Sequence, residues 1–392
     1  MTTITTTSME QPLLPQYIID DILRTCWNIR ISPRLLYRKA FGDALRMALV
    51  SRHCFDLISH KFHSVQLDIT YENEEKLRSM LDRIVNRPLC VLKTIRRLRI
   101  FQHCLKTLVE VLLSNPDYSV PFQSLESLIV ETRGIGNDYI NQDAIVNFFA
   151  FTPKLASIQV IDVEPKRTIV TPYTKMFDAL LKLPLVEFIF FSYNSAIHIN
   201  AVEDYLSNEQ GLLENISIPF YSESFKGEEI GPILSRKTHL RELSIKINSP
   251  VKLNGIIPIT NLSINMSNIE SNFSLISQVS TTLRHLRLSG MNVVGDATHP
   301  KYLQCVDQFK LDQLHTVELQ GCNTRRIAPE LIEAFLQSTR IRCLIYHTVD
   351  PAYMESTIIS IPEIQTMCQT EQGYSTSNIS KELVAVLIIR KI

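Results

Sequence analysis

A short apolar pattern, Leu-x-x-Leu-x-Leu with other large apolar residues admitted at each Leu, recurs along most of this 392-residue chain. Successive copies begin between 19 and 31 residues apart. A repeat of about this period indicates a solenoid, in which each unit buries its apolar face against the next. The ten clear copies begin at Ile95, Leu125, Leu155, Leu185, Leu213, Leu240, Ile259, Leu283, Leu314 and Ile341. A further copy at Phe62 and a weak one at Leu383 extend the series.

Each copy has the alternation of a β-strand, with its fourth and sixth residues on one side and its third, fifth and seventh on the other. The segments between the copies have helical periodicity, as in 105–113 and 174–183. Pro153 and Pro184 follow such segments and stop them before the next strand. The sequence therefore predicts an α/β fold, with a parallel strand ladder on the concave side and helices on the convex side.

Residues 90–350 resemble leucine-rich repeat proteins of the long-repeat, ribonuclease-inhibitor-like type. That family usually has Asn or Cys at the ninth position of the repeat, to cap backbone groups in the turn. In this chain Asn248 and Cys322 stand there, whereas other repeats have residues such as Arg133 and Val163. The interval of 19 residues before Ile259 predicts a unit too short for a complete helix.

The first 60 residues have a different pattern. Leu14-Pro15 opens a stretch with one apolar helix face, and residues 44–58 form a second, strongly apolar helical pattern. This arrangement resembles an F-box, with Cys54 where that family usually has Trp and with a longer connection at residues 27–43. The alternative is a helical cap that covers the end of the solenoid core.

The F-box resemblance implies that this region binds the adaptor of a cullin-based SCF ubiquitin ligase. The implied adaptor-binding residues are Leu14, Pro15, Ile18, Ile19, Ile22, Leu23, Leu49, Val50 and Cys54. The expected organisation is a disordered tail (1–12), an F-box-like domain (13–61), the repeat solenoid (62–350) and a C-terminal cap or last repeat (351–392).

Composition argues against several classes of function. The chain has 40 basic and 40 acidic residues, so we expect neither a nucleic-acid partner nor a membrane partner. Eight cysteines without a Cys-x-x-Cys pair, and an amino terminus unlike a secretory signal, favour a cytoplasmic or nuclear location. No phosphate-binding or hydrolase motif occurs, and the spacing of His53, Cys54, His60 and His63 matches no zinc signature. We therefore expect no enzymatic activity, no catalytic residues, no metal and no cofactor.

The third, fifth and seventh positions of the strands predict a binding surface on the concave face. The early repeats place an apolar stripe there, and the later repeats place polar and charged groups. The candidate substrate-binding residues are Phe101, Ile129, Ile161, Ile189, Phe191, His285, Arg287 and Glu318. An exposed apolar stripe often marks a binding site, and the alternative is that a loop or the C-terminal tail covers it.

These patterns together predict a non-catalytic substrate-recognition subunit of an SCF-type ubiquitin ligase. Its F-box-like helices would bind the adaptor and its repeats would bind a substrate protein. The alternative is an interaction scaffold of the same architecture, with a helical cap and no ligase partner.

The predicted alternation can be tested at the repeat that begins at Leu283. We expect Leu286→Asp to unfold its neighbourhood, because burial of a leucine contributes about 1.5–3 kcal/mol and a buried charge adds a further cost. We expect Arg287→Ala to change the free energy of unfolding by less than about 0.5 kcal/mol. Thermal denaturation of both variants measures this difference, and equal shifts would contradict the strand assignment.

Overall fold

The structure is a computed structural model, and it describes residues 46, 52–62, 66–69, 73–87, 90, 92–132, 141–162, 173–192, 195–218, 225–265, 269–291, 313–321, 343–348 and 385–390. The chain divides into two compact units. The first consists of residues 1–128 and 147–154, and the second of residues 129–146 and 155–392.

The first unit joins a helix to the beginning of the strand ladder. Its described elements are α1 (Arg52–Phe62), β1 (Gln66–Ile69), α2 (Glu74–Asn86), β2 (Arg97–Phe101), α3 (Gln102–Ser114) and a 3₁₀ helix (Pro116–Ser124). Strands β1 and β2 are parallel, with Leu67 opposite Leu98. The second apolar helical pattern therefore continues into α1, and the repeat at Phe62 supplies β1.

Local sequence explains where the helices of this unit begin and which face they bury. Asn73 precedes α2, and its side-chain oxygen accepts a hydrogen bond from the Lys76 N–H at 2.9 Å. Leu77, Leu81 and Ile84 lie on one face of α2 and are buried.

The second unit contains most of the repeats. The elements β3 (Ser127–Thr132) and α4 (Gln142–Phe149) each contain a boundary between the two units. The elements that follow are β4 (Ser157–Asp162), α5 (Thr174–Leu180), β5 (Glu187–Ser192), α6 (Ser195–Asn208), β6 (Asn215–Ile218), α7 (Gly227–Ser235), β7 (Glu242–Ile245), β8 (Asn261–Asn265), α8 (Ile269–Val279), β9 (His285–Met291), β10 (Thr316–Gly321), β11 (Cys343–Thr348) and β12 (Ala385–Arg390).

Strands β4 to β11 are hydrogen-bonded in chain order, each parallel to the next, and β12 pairs antiparallel with β11. From β2 to β9 the fourth and sixth residues of the motif are buried, as for Leu286 and Leu288, at 0% and 2% exposure. The intervening Arg287 is partly exposed. The fold is therefore α/β and is that of a leucine-rich repeat solenoid, as the sequence predicts.

One carbonyl in each repeat sets the register with the following repeat. The Ala156 carbonyl accepts hydrogen bonds from the N–H groups of Val186 and Glu187, at 2.8 and 3.0 Å. The same pair of hydrogen bonds to a single carbonyl recurs at the second motif position of successive repeats. The accepting carbonyls in this unit belong to Ala156, Val186, Glu214, Arg241, Thr260 and Arg284. Because these bonds join only neighbouring repeats, they align each strand from β4 to β9 with the next one along the chain.

The short repeat between β7 and β8 has no helix in the structure, as its 19-residue interval predicts. The extended chain of this repeat passes close to α7 at two glycines of that helix. A Cβ on Gly227 would lie 2.2 Å from the Pro250 carbonyl oxygen, and one on Gly231 would lie 2.5 Å from that of Lys252. Because these two residues of α7 have no side chains, the extended segment that follows β7 can pack directly against the helix.

Aromatic side chains fill the space between the sheet and its helices in the second unit. Tyr205 of α6 lies against Phe177 of α5 and Phe188 of β5, with ring centroids 5.7 and 4.8 Å away. Tyr205 is 2% exposed, and its hydroxyl has no hydrogen-bond partner among the described residues. Burial, with a smaller contribution from the Glu209 carboxylate, raises the pKa of this phenol above its usual value near 10.

Among the described residues, no helix combines the length and the apolar character that are needed to cross a bilayer.

The raised pKa of Tyr205 predicts that the folded protein loses stability in alkali. Its phenol ionises near pH 10 in the unfolded chain and at a higher pH in the folded chain, so its contribution is complete below pH 10 and is lost above it. Tyr205→Phe should reduce the alkaline fall in unfolding free energy by about 1.4 kcal/mol per pH unit. At pH 7 it should be neutral or stabilising, because the buried hydroxyl has no partner. Urea unfolding at neutral and alkaline pH measures both effects.

Tyr118→Phe is the matched control. The hydroxyl of Tyr118 donates to the Asp82 carboxylate at 2.6 Å, and this bond is the main cause of the raised pKa of that phenol. Tyr118→Phe should also reduce the fall in unfolding free energy with rising pH in alkali. Unlike Tyr205→Phe, it should lower the unfolding free energy at pH 7 by about 1–2 kcal/mol. An alkaline slope unchanged by Tyr205→Phe would contradict the prediction.

Candidate functional site

The side of the second unit's sheet that carries the third, fifth and seventh motif positions is called here the open face. The third motif positions of β4 to β9 form a polar row on it, in register. This polar row consists of Ser157, Glu187, Asn215, Glu242, Asn261 and His285. Strands about 4.8 Å apart bring such residues within reach of each other's side chains.

Hydrogen bonds within the polar row hold its two carboxylates. The Ser157 hydroxyl donates to one oxygen of Glu187, and the Asn215 amide donates to the other at 2.8 Å. The Asn261 amide donates to Glu242, also at 2.8 Å. The orientation of both carboxylates is thus fixed by neutral donors on adjacent strands.

The fifth motif positions of β6, β7 and β8 are all serine, and we call Ser217, Ser244 and Ser263 the serine floor. They lie opposite one another in the register. The longer side chains of Ile189 and Arg287 occupy the same position on the flanking strands. Short side chains between long ones leave a hollow of about 300 Å³ on the open face. It is lined by the serine floor and by four members of the polar row, Asn215, Glu242, Asn261 and His285.

An ionic cluster forms the β9 and β10 end of this hollow. Glu318 lies 3.2 Å from the Arg287 Nε and 3.4 Å from the His285 Nε2, and its side chain is 14% exposed. Arg287 and His285 are more exposed, at 42% and 36%. The carboxylate is therefore placed between two groups that can donate hydrogen bonds to it.

The structure brings together four of the predicted substrate-binding residues, because Ile189, His285, Arg287 and Glu318 all line the hollow. Two other predicted residues, Ile161 and Phe191, lie opposite each other on β4 and β5 and are half-buried.

The remaining two are not among the residues that line the hollow. Ile129 on β3 is half-buried, and Phe101 belongs to the first unit, where its ring stacks on His103 with centroids 5.7 Å apart. Of the C-terminal segment 351–392, only β12 (Ala385–Arg390) is described, so its role as a cover of the apolar stripe stays a prediction.

Of the predicted adaptor-binding residues, only Cys54 is described. It lies on α1 and is 2% exposed. The others lie outside the described residues, namely Leu14, Pro15, Ile18, Ile19, Ile22, Leu23, Leu49 and Val50. Within the described part of the chain, no group of three or more His, Cys, Asp or Glu residues is placed to hold a metal ion.

Sequence reasoning missed the serine floor and the Glu187–Asn215 pair. The signal was present, since both sets occupy one motif position in adjacent repeats. These side chains could be recognised as neighbours only once the register of the strands was known.

A second polar row lies on the buried side of the sheet, at the eighth motif position. Asp162 is fully buried and accepts hydrogen bonds from Thr132 and Ser192 of the adjacent repeats, at 2.9 and 3.3 Å. Tyr173 donates to it at 3.0 Å, and the ring of His198 stacks on Tyr173 with centroids 4.2 Å apart.

The family resemblance predicts polar capping residues at the ninth motif position. In these three repeats the buried polar side chains occupy the eighth position instead. The eighth residue continues the alternation of the fourth and sixth, and so it points into the core. The full burial of this network indicates a role in stability.

The chain matches no protein-family model and has no significant match among curated proteins. Among solved structures it is similar to a chain in the crystal structure of the Rad7 and Elc1 complex in yeast. That similarity has 16% sequence identity and a TM-score of 0.46, and it covers 88% of this chain and 87% of that chain.

The second polar row predicts that two aspartates of the second unit differ greatly in their contribution to the free energy of unfolding. Asp162→Ala removes the acceptor of three buried hydroxyl groups, so we expect a loss of about 3 kcal/mol in the free energy of unfolding. Asp178→Ala changes an exposed residue of α5 and should alter stability by less than about 0.5 kcal/mol. Chemical denaturation of both variants measures the difference, and comparable losses would show that the network contributes little.

Proposed function

We propose that this protein is a non-catalytic substrate-recognition subunit of an SCF-type (cullin) ubiquitin ligase in the cytoplasm or nucleus. Its F-box-like amino-terminal helices bind the adaptor, and the open face of its repeats binds a substrate protein. The ligase chemistry belongs to other subunits, and this chain contributes proximity and orientation.

The observation that carries the recognition half of the proposal is the hollow on the open face. Its polar side chains are already oriented by hydrogen bonds across the strands, and its ionic cluster is in place. A surface whose side chains are ordered before binding loses less conformational entropy when a partner arrives. Such a rigid, polar surface is suited to recognising a protein segment.

The amino-terminal sequence supports the adaptor half. Leu14-Pro15 is followed by paired apolar residues that end at Ile22-Leu23, and Leu49-Val50 begins the second F-box-like segment. An apolar helix face of this kind is able to anchor a partner through a few large residues.

The second candidate function is an interaction scaffold. The described part of α1 packs Cys54 and Ile58 into the interior, as a helical cap on the first strand would also do. In that case the open face binds its partner in the same way, and no ligase adaptor is bound.

Capture of a purified SCF adaptor by the full-length chain distinguishes the two functions. The combined Leu14→Ala and Pro15→Ala variant should weaken adaptor binding by about a hundred-fold or more, because such anchors often contribute about 2 kcal/mol each. The repeats should stay folded, since coupling in a solenoid is between nearest neighbours. Biolayer interferometry gives the affinities, and circular dichroism checks the fold.

The combined Ile161→Glu and Ile189→Glu variant is the reciprocal control. It changes two half-buried residues of the open face, so it should keep adaptor binding and lose substrate binding. If the wild-type chain does not bind the adaptor at micromolar concentration, the ligase proposal is excluded and the scaffold takes its place.

A further inference from the structure

Among the described residues, the two carboxylates of the polar row have no basic partner. Glu187 and Glu242 receive hydrogen bonds from Ser157, Asn215 and Asn261, which are all uncharged. Among the residues that the structure describes, no Lys, Arg or His side chain lies within 4 Å of either carboxylate. Glu318 of the same hollow differs, because Arg287 and His285 lie next to it.

The two carboxylates also have a defined separation. They occupy the same motif position on β5 and β7, with β6 between them. Two strand spacings amount to about 9.6 Å. In a polyproline-II segment, residues three apart lie on one face about 9.3 Å from each other. A peptide in that conformation can therefore place one side chain over each carboxylate when it crosses the strands.

The rest of the hollow is compatible with such a segment. The serine floor presents three short hydroxyl-bearing side chains beside the polar row, and none of the three is hydrogen-bonded to another described side chain. These hydroxyl groups are able to donate to or accept from a peptide backbone.

We infer that the hollow and the adjoining part of the polar row bind a basic, extended segment of a protein partner, with Lys or Arg residues three positions apart directed at Glu187 and Glu242. This inference rests on the proposed function in that it names the class of substrate segment that the open face recognises. It doesn't depend on adaptor binding, because the same hollow would select the same segment in a scaffold.

Selection from a random phage-displayed dodecapeptide library on immobilised full-length protein tests the inference. Peptides with two Lys or Arg residues at a spacing of three should be enriched. Affinities of the best peptide are then measured by fluorescence anisotropy. Glu187→Gln and Glu242→Gln should each weaken binding about two- to five-fold, as is typical of partly exposed ion pairs, and the double variant should weaken it about ten-fold.

The combined Asp204→Asn and Glu228→Gln variant is the matched control. It makes the same change in net charge at exposed residues of α6 and α7, so it should leave peptide affinity unchanged. Thermal denaturation verifies that both double variants are folded.

Enrichment of acidic or uncharged peptides, the absence of any enrichment, or equal losses in the two double variants would overturn the inference. Adaptor capture is measured separately. A chain that binds the adaptor but selects no basic peptide would keep the ligase proposal and lose this one. A chain that selects basic peptides but binds no adaptor would do the reverse.

Discussion

The structure depends on one repeated backbone interaction, the carbonyl at the second motif position that accepts two N–H groups from the next repeat. From β4 to β10 this pair of hydrogen bonds links each strand to the next at a single register. A slip of one residue would move every apolar side chain from the core to the opposite face, so burial of the fourth and sixth positions reinforces the same register. Because the bond recurs in repeat after repeat, residues at one motif position become neighbours in space.

The alternation of the strand separates stability from recognition within a few residues. Leu243 is buried in the core, while Ser244 beside it contributes to the serine floor. Likewise, Asp162 ends β4 inside the core, and Ser157 begins the same strand on the open face. The two polar rows therefore have different roles, because one is sealed from water by packing and the other is accessible to a partner.

The charges of the open face are distributed unevenly along the ladder. Around β9 and β10 the carboxylate of Glu318 is matched by Arg287 and His285, whereas around β5 to β7 the carboxylates are held by uncharged donors. A matched cluster contributes mainly to local order. A carboxylate without a basic partner adds to the field that a binding segment experiences, and so it contributes to selectivity.

The motif spacing alone determined the strands, their buried residues and the absence of a helix in the 19-residue repeat. These are local properties, since the alternation at Leu286 to Leu288 and the room for a helix can be read within one repeat. Tertiary structure decided which side chains meet. The contact of Glu187 with Asn215 and the three serines of the floor depend on register between segments 19 to 28 residues apart. The Asp162 network also recruits Tyr173 and His198 from outside the strands. Lateral register depends on backbone bonds and burial that neighbouring repeats share, so it cannot be read from one repeat alone.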